Sequence, residues 1–145
     1  MSRFYDDGFD WRKGPEPGDG ATQPSGSDSY PHTVVNVSSE RVKFMKEDPD
    51  DRSLTEEVSW PKWIEVVDDS YKAISGSAQN GSAEYVYETR LDSSPERYIL
   101  KNGVYRRATQ KYDPETRTYS MLNSCKNDAP RMNVGYRKYY YDPHK

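Results

Sequence analysis

Aliphatic side chains are scarce in this chain. Leu, Ile, Val and Phe together number 20 of 145 residues, about 14%, below the ~20% at which composition begins to signal disorder. Any core has to be built largely from other side chains. The 13 Tyr and 3 Trp residues supply them, because each ring buries a large area while carrying a polar atom that needs a partner. Net charge is only −3, so the high-charge half of the disorder signature is missing. The expectation is one domain with a modest, aromatic-rich core.

Residues 1–32 contain no Leu, Ile or Val, and Gly, Pro and Ser fill 13 of those 32 positions. A segment of that composition offers little apolar area against its ordering entropy. It reads as a flexible arm, with a single domain over residues 33–145. Within the arm, Phe4, Tyr5, Phe9 and Trp11 are interspersed with Asp6, Asp7 and Asp10, a mixture suited to docking on a partner's groove or on the chain's own domain.

From Thr33 the pattern has period two, with Val35 and Val37, then Val42 and Phe44, reading as a bulged strand or hairpin. Next, Trp60, Trp63, Ile64, Val67, Tyr71 and Ile74 follow steps of three and four, the spacing of one helical face. Ser59 would cap that helix, Pro61 suits its first turn and Gly76 would end it. Runs rich in Tyr, Val, Thr and Arg then place strands near 84–91, 97–101, 104–112, 118–123 and 134–141. Asn102-Gly103 is a two-residue hairpin signal, and Asp113-Pro114-Glu115-Thr116 is a second turn. The predicted fold is α+β: one amphipathic helix packed on a curved antiparallel sheet. Its outline is cystatin-like or nuclear-transport-factor-like in topology alone, which carries no function.

Several chemistries lack their parts. A lone Cys125 supports neither a disulfide framework nor a multi-cysteine metal site. The two histidines, His32 at the arm's boundary and His144 near the end, read as solvated tail residues rather than catalytic groups. Glu65, Asp68 and Asp69 fall on the polar face of the predicted helix, where solvation explains them. No glycine-rich phosphate loop follows a strand. No catalytic residue, metal or cofactor is expected, and the protein reads as a non-enzyme. No run of ten apolar residues occurs, so neither a membrane span nor a secretory signal peptide is expected. A place in the cytoplasm or within a virion follows.

Charge is distributed unevenly. Residues 1–96 hold 10 basic and 20 acidic side chains, a balance of −10, whereas residues 97–145 hold 11 basic and 4 acidic, a balance of +7. In the basic half, Tyr98, Tyr105, Arg106, Arg107, Lys111, Arg137, Lys138 and Tyr140 are the candidate partner-binding residues. Tyr and Arg are enriched at protein interfaces, and the same pair of types stacks on bases and neutralises phosphates. The leading expectation is an interaction or assembly module that binds a protein partner or itself through this basic sheet and the arm. Binding of single-stranded nucleic acid is the alternative, and a small enzyme of cystatin-like fold comes third.

Overall fold

Alternation of side chains across strands, not helical spacing, organises the folded chain. The computed structural model describes residues 5–139 apart from 7, 76–83, 91 and 93. It contains ten strands: β1 (Gly20–Ser25), β2 (Asp28–Val37), β3 (Arg41–Asp48), β4 (Asp51–Pro61), β5 (Trp63–Ser75), β6 (Glu84–Thr89), β7 (Glu96–Lys101), β8 (Val104–Asp113), β9 (Thr118–Cys125) and β10 (Arg131–Val134). No helix occurs among the described residues, so the α+β prediction is replaced by an all-β fold. Six strands in the order β10-β1-β2-β5-β7-β8 close into an antiparallel barrel when β10 pairs back onto β8. Closure removes the sheet edges that would otherwise be open to other chains.

The segment expected as a helix runs instead through the end of β4 and the length of β5. Its residues are β-branched or aromatic types that suit a pleated surface. The misleading spacing arises because β5 is covered on both faces. Ile64 and Val66 point into the barrel while Val67 and Asp69 are buried on the opposite face. A two-sided strand yields steps of one, three and four, which mimic a helical stripe. The hairpin at Asn102-Gly103 forms as expected. Both residues take positive φ, 53° and 78°, the type I′ geometry. It sets Lys101 opposite Val104, Leu100 opposite Tyr105 and Tyr98 opposite Arg107.

The expected arm contains β1 and the first part of β2, both staves of the barrel, so the folded part begins well before Thr33. Composition misleads here because β1 lies between β2 and β10, and its neighbours supply the apolar area. Ala21 is fully buried, and a small side chain is what fits where large rings fill the lumen.

Directly opposed residues share a face, and inward pairs can be followed around the barrel. Val134 opposes Ala21, Val34 opposes Val66, Ile64 opposes Tyr98, and Tyr105 lies between Leu100 and Met132. At one end Trp60 plugs this lumen. It stacks near-parallel on Tyr105 with ring centroids 6.1 Å apart, meets Phe9 and Phe44 edge-on, and donates its indole N–H to the Trp11 carbonyl at 2.8 Å. At the other end the inward positions are polar and paired. Arg107 meets Glu96 at 2.8 Å, and His32 Nε2 lies 3.7 Å from Asp68. On the outside, the segment after β10 crosses β1, β2 and β5 and is fastened by Arg137, which contacts Asp69, Thr33 and Gly18.

Candidate interaction surface

Among the described residues three strand pairs extend beyond the six barrel strands. One joins the distal part of β5 to β6, with Tyr71 opposite Tyr87, and the other two are ribbons formed by β3 with β4 and by β8 with β9. β3 and β4 form a ribbon of their own, paired as strands only with each other among the described strands. At its root Val42, Phe44, Val58 and Trp60 join the core. Farther along the ribbon Met45 and Leu54 are more than half exposed. Residues 46–57 carry six acidic and two basic side chains, a balance of −4. The second ribbon is made by the distal half of β8 and β9, with Gln110 opposite Met121 and Asp113 opposite Thr118. Arg117, at φ 56°, closes its turn. Tyr112 and Tyr119 face each other with ring centroids 4.9 Å apart and are 48% and 67% exposed, and Leu122 is exposed three residues farther along β9. β9 is paired as a strand only with β8 among the described strands; Arg97 and Lys101 of β7 donate to Asn123 and Cys125 near the barrel, and the edge of β9 beyond them, toward the turn, has no strand partner. The ribbon itself, residues 108–125, carries Lys111 and Arg117 against Asp113 and Glu115, a balance of zero.

The residues expected to form one partner-binding surface are not brought together. Tyr98 and Tyr105 lie inside the barrel, 1% and 2% exposed, and Tyr105 donates its hydroxyl to the Pro61 carbonyl at 2.7 Å. Burial pushes the Tyr98 phenol up to about 12, with Glu96 adding to the rise and Arg107 opposing it. Burial raises Tyr105 further still. Neither ring is available to stack on a partner. Arg106 donates to the Ala129 carbonyl at 2.8 Å, and Arg107 is engaged with Glu96. Arg137 is committed to the fastening described above. Lys111 is exposed on the β8–β9 ribbon, opposite Ser120, and Lys138 is exposed in the C-terminal segment. Phe4 and Tyr140 lie outside the described residues. Tyr5, Phe9 and Trp11 pack against the chain's own core, which is one of the two dockings their composition suggested.

His32, expected on a solvated tail, is 7% exposed within β2, with Nδ1 3.1 Å from the Tyr30 carbonyl. His144 lies outside the described residues. Composition did not single out Met45, Leu54, Tyr112, Tyr119 or Leu122 as contact residues. The one available signal was the symmetry of Tyr112 and Tyr119 about the turn at 114–117. No family model, curated protein or solved structure matches the chain.

Proposed function

We propose that the protein is a non-enzymatic interaction module: a barrel that holds two β-ribbons out to a protein partner, the simplest partner being a second copy of the chain. The observation that carries this reading is the β8–β9 ribbon, which combines an unpaired edge with the exposed Tyr112, Tyr119 and Leu122. An open edge offers backbone N–H and C=O groups for strand addition, and exposed aromatics add contact area at low entropic cost. Lys111 and Arg117 on this ribbon offer counter-charges to the acidic β3–β4 ribbon. A contact between unlike surfaces is heterologous, so it closes a ring or propagates a filament. Sedimentation velocity over a protein concentration series, at low and high salt, tests this. Association should grow with concentration, fall with salt and disappear in the Tyr112→Ser, Tyr119→Ser double variant. A protein that stays monomeric at the highest concentration in low salt would remove the second copy as partner.

A second reading is supported by the same ribbon, where Lys111 and Arg117 flank the exposed Tyr112 and Tyr119. Cations beside open rings are the elements of single-strand binding. Labelled single-stranded RNA and DNA at about 50 mM salt test it, since phosphate attraction is strong there. No retention would eliminate this reading.

A further inference from the structure

The outer wall of the barrel carries cations that no described carboxylate neutralises. Tyr105 and Met132 oppose each other inside the lumen, so by alternation their neighbours Arg106 and Arg131, also directly opposed, face outward. Like charges at opposed positions repel. Arg106 donates to the Ala129 carbonyl at 2.8 Å, and Lys101, outward on β7, donates to the Cys125 carbonyl at 3.3 Å. These neutral acceptors orient the side chains and leave their charges in place. Lys126, between those two carbonyls in the chain, and Arg131 are exposed. None of the four forms a salt bridge with a described residue. Against them the connecting segment supplies one carboxylate, Asp128, for a balance of +3.

The β3–β4 ribbon presents the complement. Met45 opposes Glu57 and Glu47 opposes Thr55, so these four side chains share one face, and all are exposed. The opposite face is occupied, with Lys46 over the Trp60 ring and Glu56 paired with Arg12 at 2.9 Å. Toward the root the free face ends in Lys43 and Arg41, so its carboxylates gather at the outer end, where the turn adds Asp50 and Asp51. Neither Glu47 nor Glu57 forms a salt bridge with a described residue. We infer that this face of the β3–β4 ribbon of one copy seats on the wall of Lys101, Arg106, Lys126 and Arg131 of the next. The contact rests on the reading that a second copy of the chain is the partner, and it enlarges the receiving surface, since Arg106 precedes the ribbon part of β8 and Lys126 follows β9. Carboxylates meet guanidinium groups in charge-assisted, often bidentate bonds, and Met45 lies along the apolar stems of the arginines. The outside of a barrel is convex, which suits a protein surface better than a small molecule.

Reciprocal charge reversal in the full-length chain tests the contact. Lys126→Glu with Arg131→Glu makes the wall acidic, and Glu47→Lys with Glu57→Lys makes the ribbon face basic. All four side chains are exposed, so both variants should keep the wild-type melting temperature. In sedimentation velocity each variant alone should associate at least about tenfold more weakly than the wild type, because like charges then meet across the contact. An equimolar mixture of the two should recover association to within about threefold of the wild type, since every ribbon again finds a wall of opposite sign. Should a reversal lower the melting temperature, Lys126→Gln with Arg131→Gln gives a smaller loss in the same direction. Undiminished association of either variant, or a mixture that fails to recover, would overturn the inference while leaving the second copy as partner. A monomeric wild type would overturn both. If that monomer instead holds labelled duplex DNA at about 50 mM salt, and releases it on Lys126→Glu with Arg131→Glu, the wall belongs to a phosphate backbone.

Discussion

Arg137→Ala removes the counter-charge of a carboxylate that has no access to water. The Asp69 side chain is 0% exposed and that of Arg137 29% exposed, with Nε 3.1 Å from Asp69 Oδ2. The two atoms face each other as charges without the alignment of a hydrogen bond. The second carboxylate oxygen accepts from the Thr33 hydroxyl at 2.6 Å. In the variant only that hydroxyl remains near Asp69, and the guanidinium bonds to the Gly18 carbonyl and to Thr33 are lost as well. Breaking a buried pair from one side costs ~3–5 kcal/mol. The lower half of that range is expected, because Arg137 keeps some contact with solvent. For a chain of this length that corresponds to a fall in melting temperature of roughly 6–15 °C. Calorimetry on Arg137→Ala, Asp69→Asn and the double variant isolates the interaction. The double variant should recover much of the loss, since removing both partners leaves no uncompensated charge. A cost below about 1 kcal/mol for Arg137→Ala, or simple additivity in the double variant, would mean that the pair is screened like a surface contact and that the C-terminal segment is not fastened by it.

Gly20→Ala should destabilise by ~1–3 kcal/mol in thermal melts, because a Cβ there would lie 2.5 Å from Arg137 Cγ and 3.1 Å from backbone atoms of Tyr136 and Arg137. A loss under about 0.5 kcal/mol would show that the crossing segment yields easily. Trp11→Ala should cost ~3–5 kcal/mol, as expected for a core aromatic, since the ring is 7% exposed and belongs to the main cluster. A neutral result would place the first residues outside the cooperative fold. In a phenolate absorbance titration of the folded protein, Tyr98, raised to about 12 by burial, should stay neutral past pH ~10. The folded state then holds a proton that the unfolded chain releases near its ordinary value of ~10, so this contribution to stability is complete below pH ~10 and is lost as pH rises toward 12. Ionisation of all tyrosines together, with the fold intact, would contradict the burial of Tyr98.

The hairpin at Asn102-Gly103 was legible because its information is local: two residues that tolerate positive φ, flanked by strand-forming types, determine a turn and a register without reference to the rest of the chain. The shortage of aliphatics pointed to an aromatic-rich core, and Tyr98, Tyr105, Trp60 and Trp11 share the cluster with Ile64, Leu100 and the valines. Period and composition failed where burial depended on partners distant in sequence. β5 imitates a helix because the segment around Arg137, some seventy residues later, covers its second face. β1 looks like an idle arm because its apolar neighbours are contributed by β2 and β10.

The candidate surfaces divide along the same line. From the sequence alone come the polarity of charge, the supply of Tyr and Arg, and the turns that open each hairpin, all properties of single residues or short neighbourhoods. Which tyrosines are buried was settled by the closing of the barrel. When β10 pairs with β8, one side of every stave becomes the inside. Tyr98 and Tyr105 fall on that side, whereas Tyr112 and Tyr119, the same residue type seven and fourteen positions beyond Tyr105, emerge on a ribbon past the last stave. A strand's alternation specifies two faces and does not say which one will meet water. That assignment is made by long-range pairing, where the gain from burying one face outweighs the entropy of closing the loops.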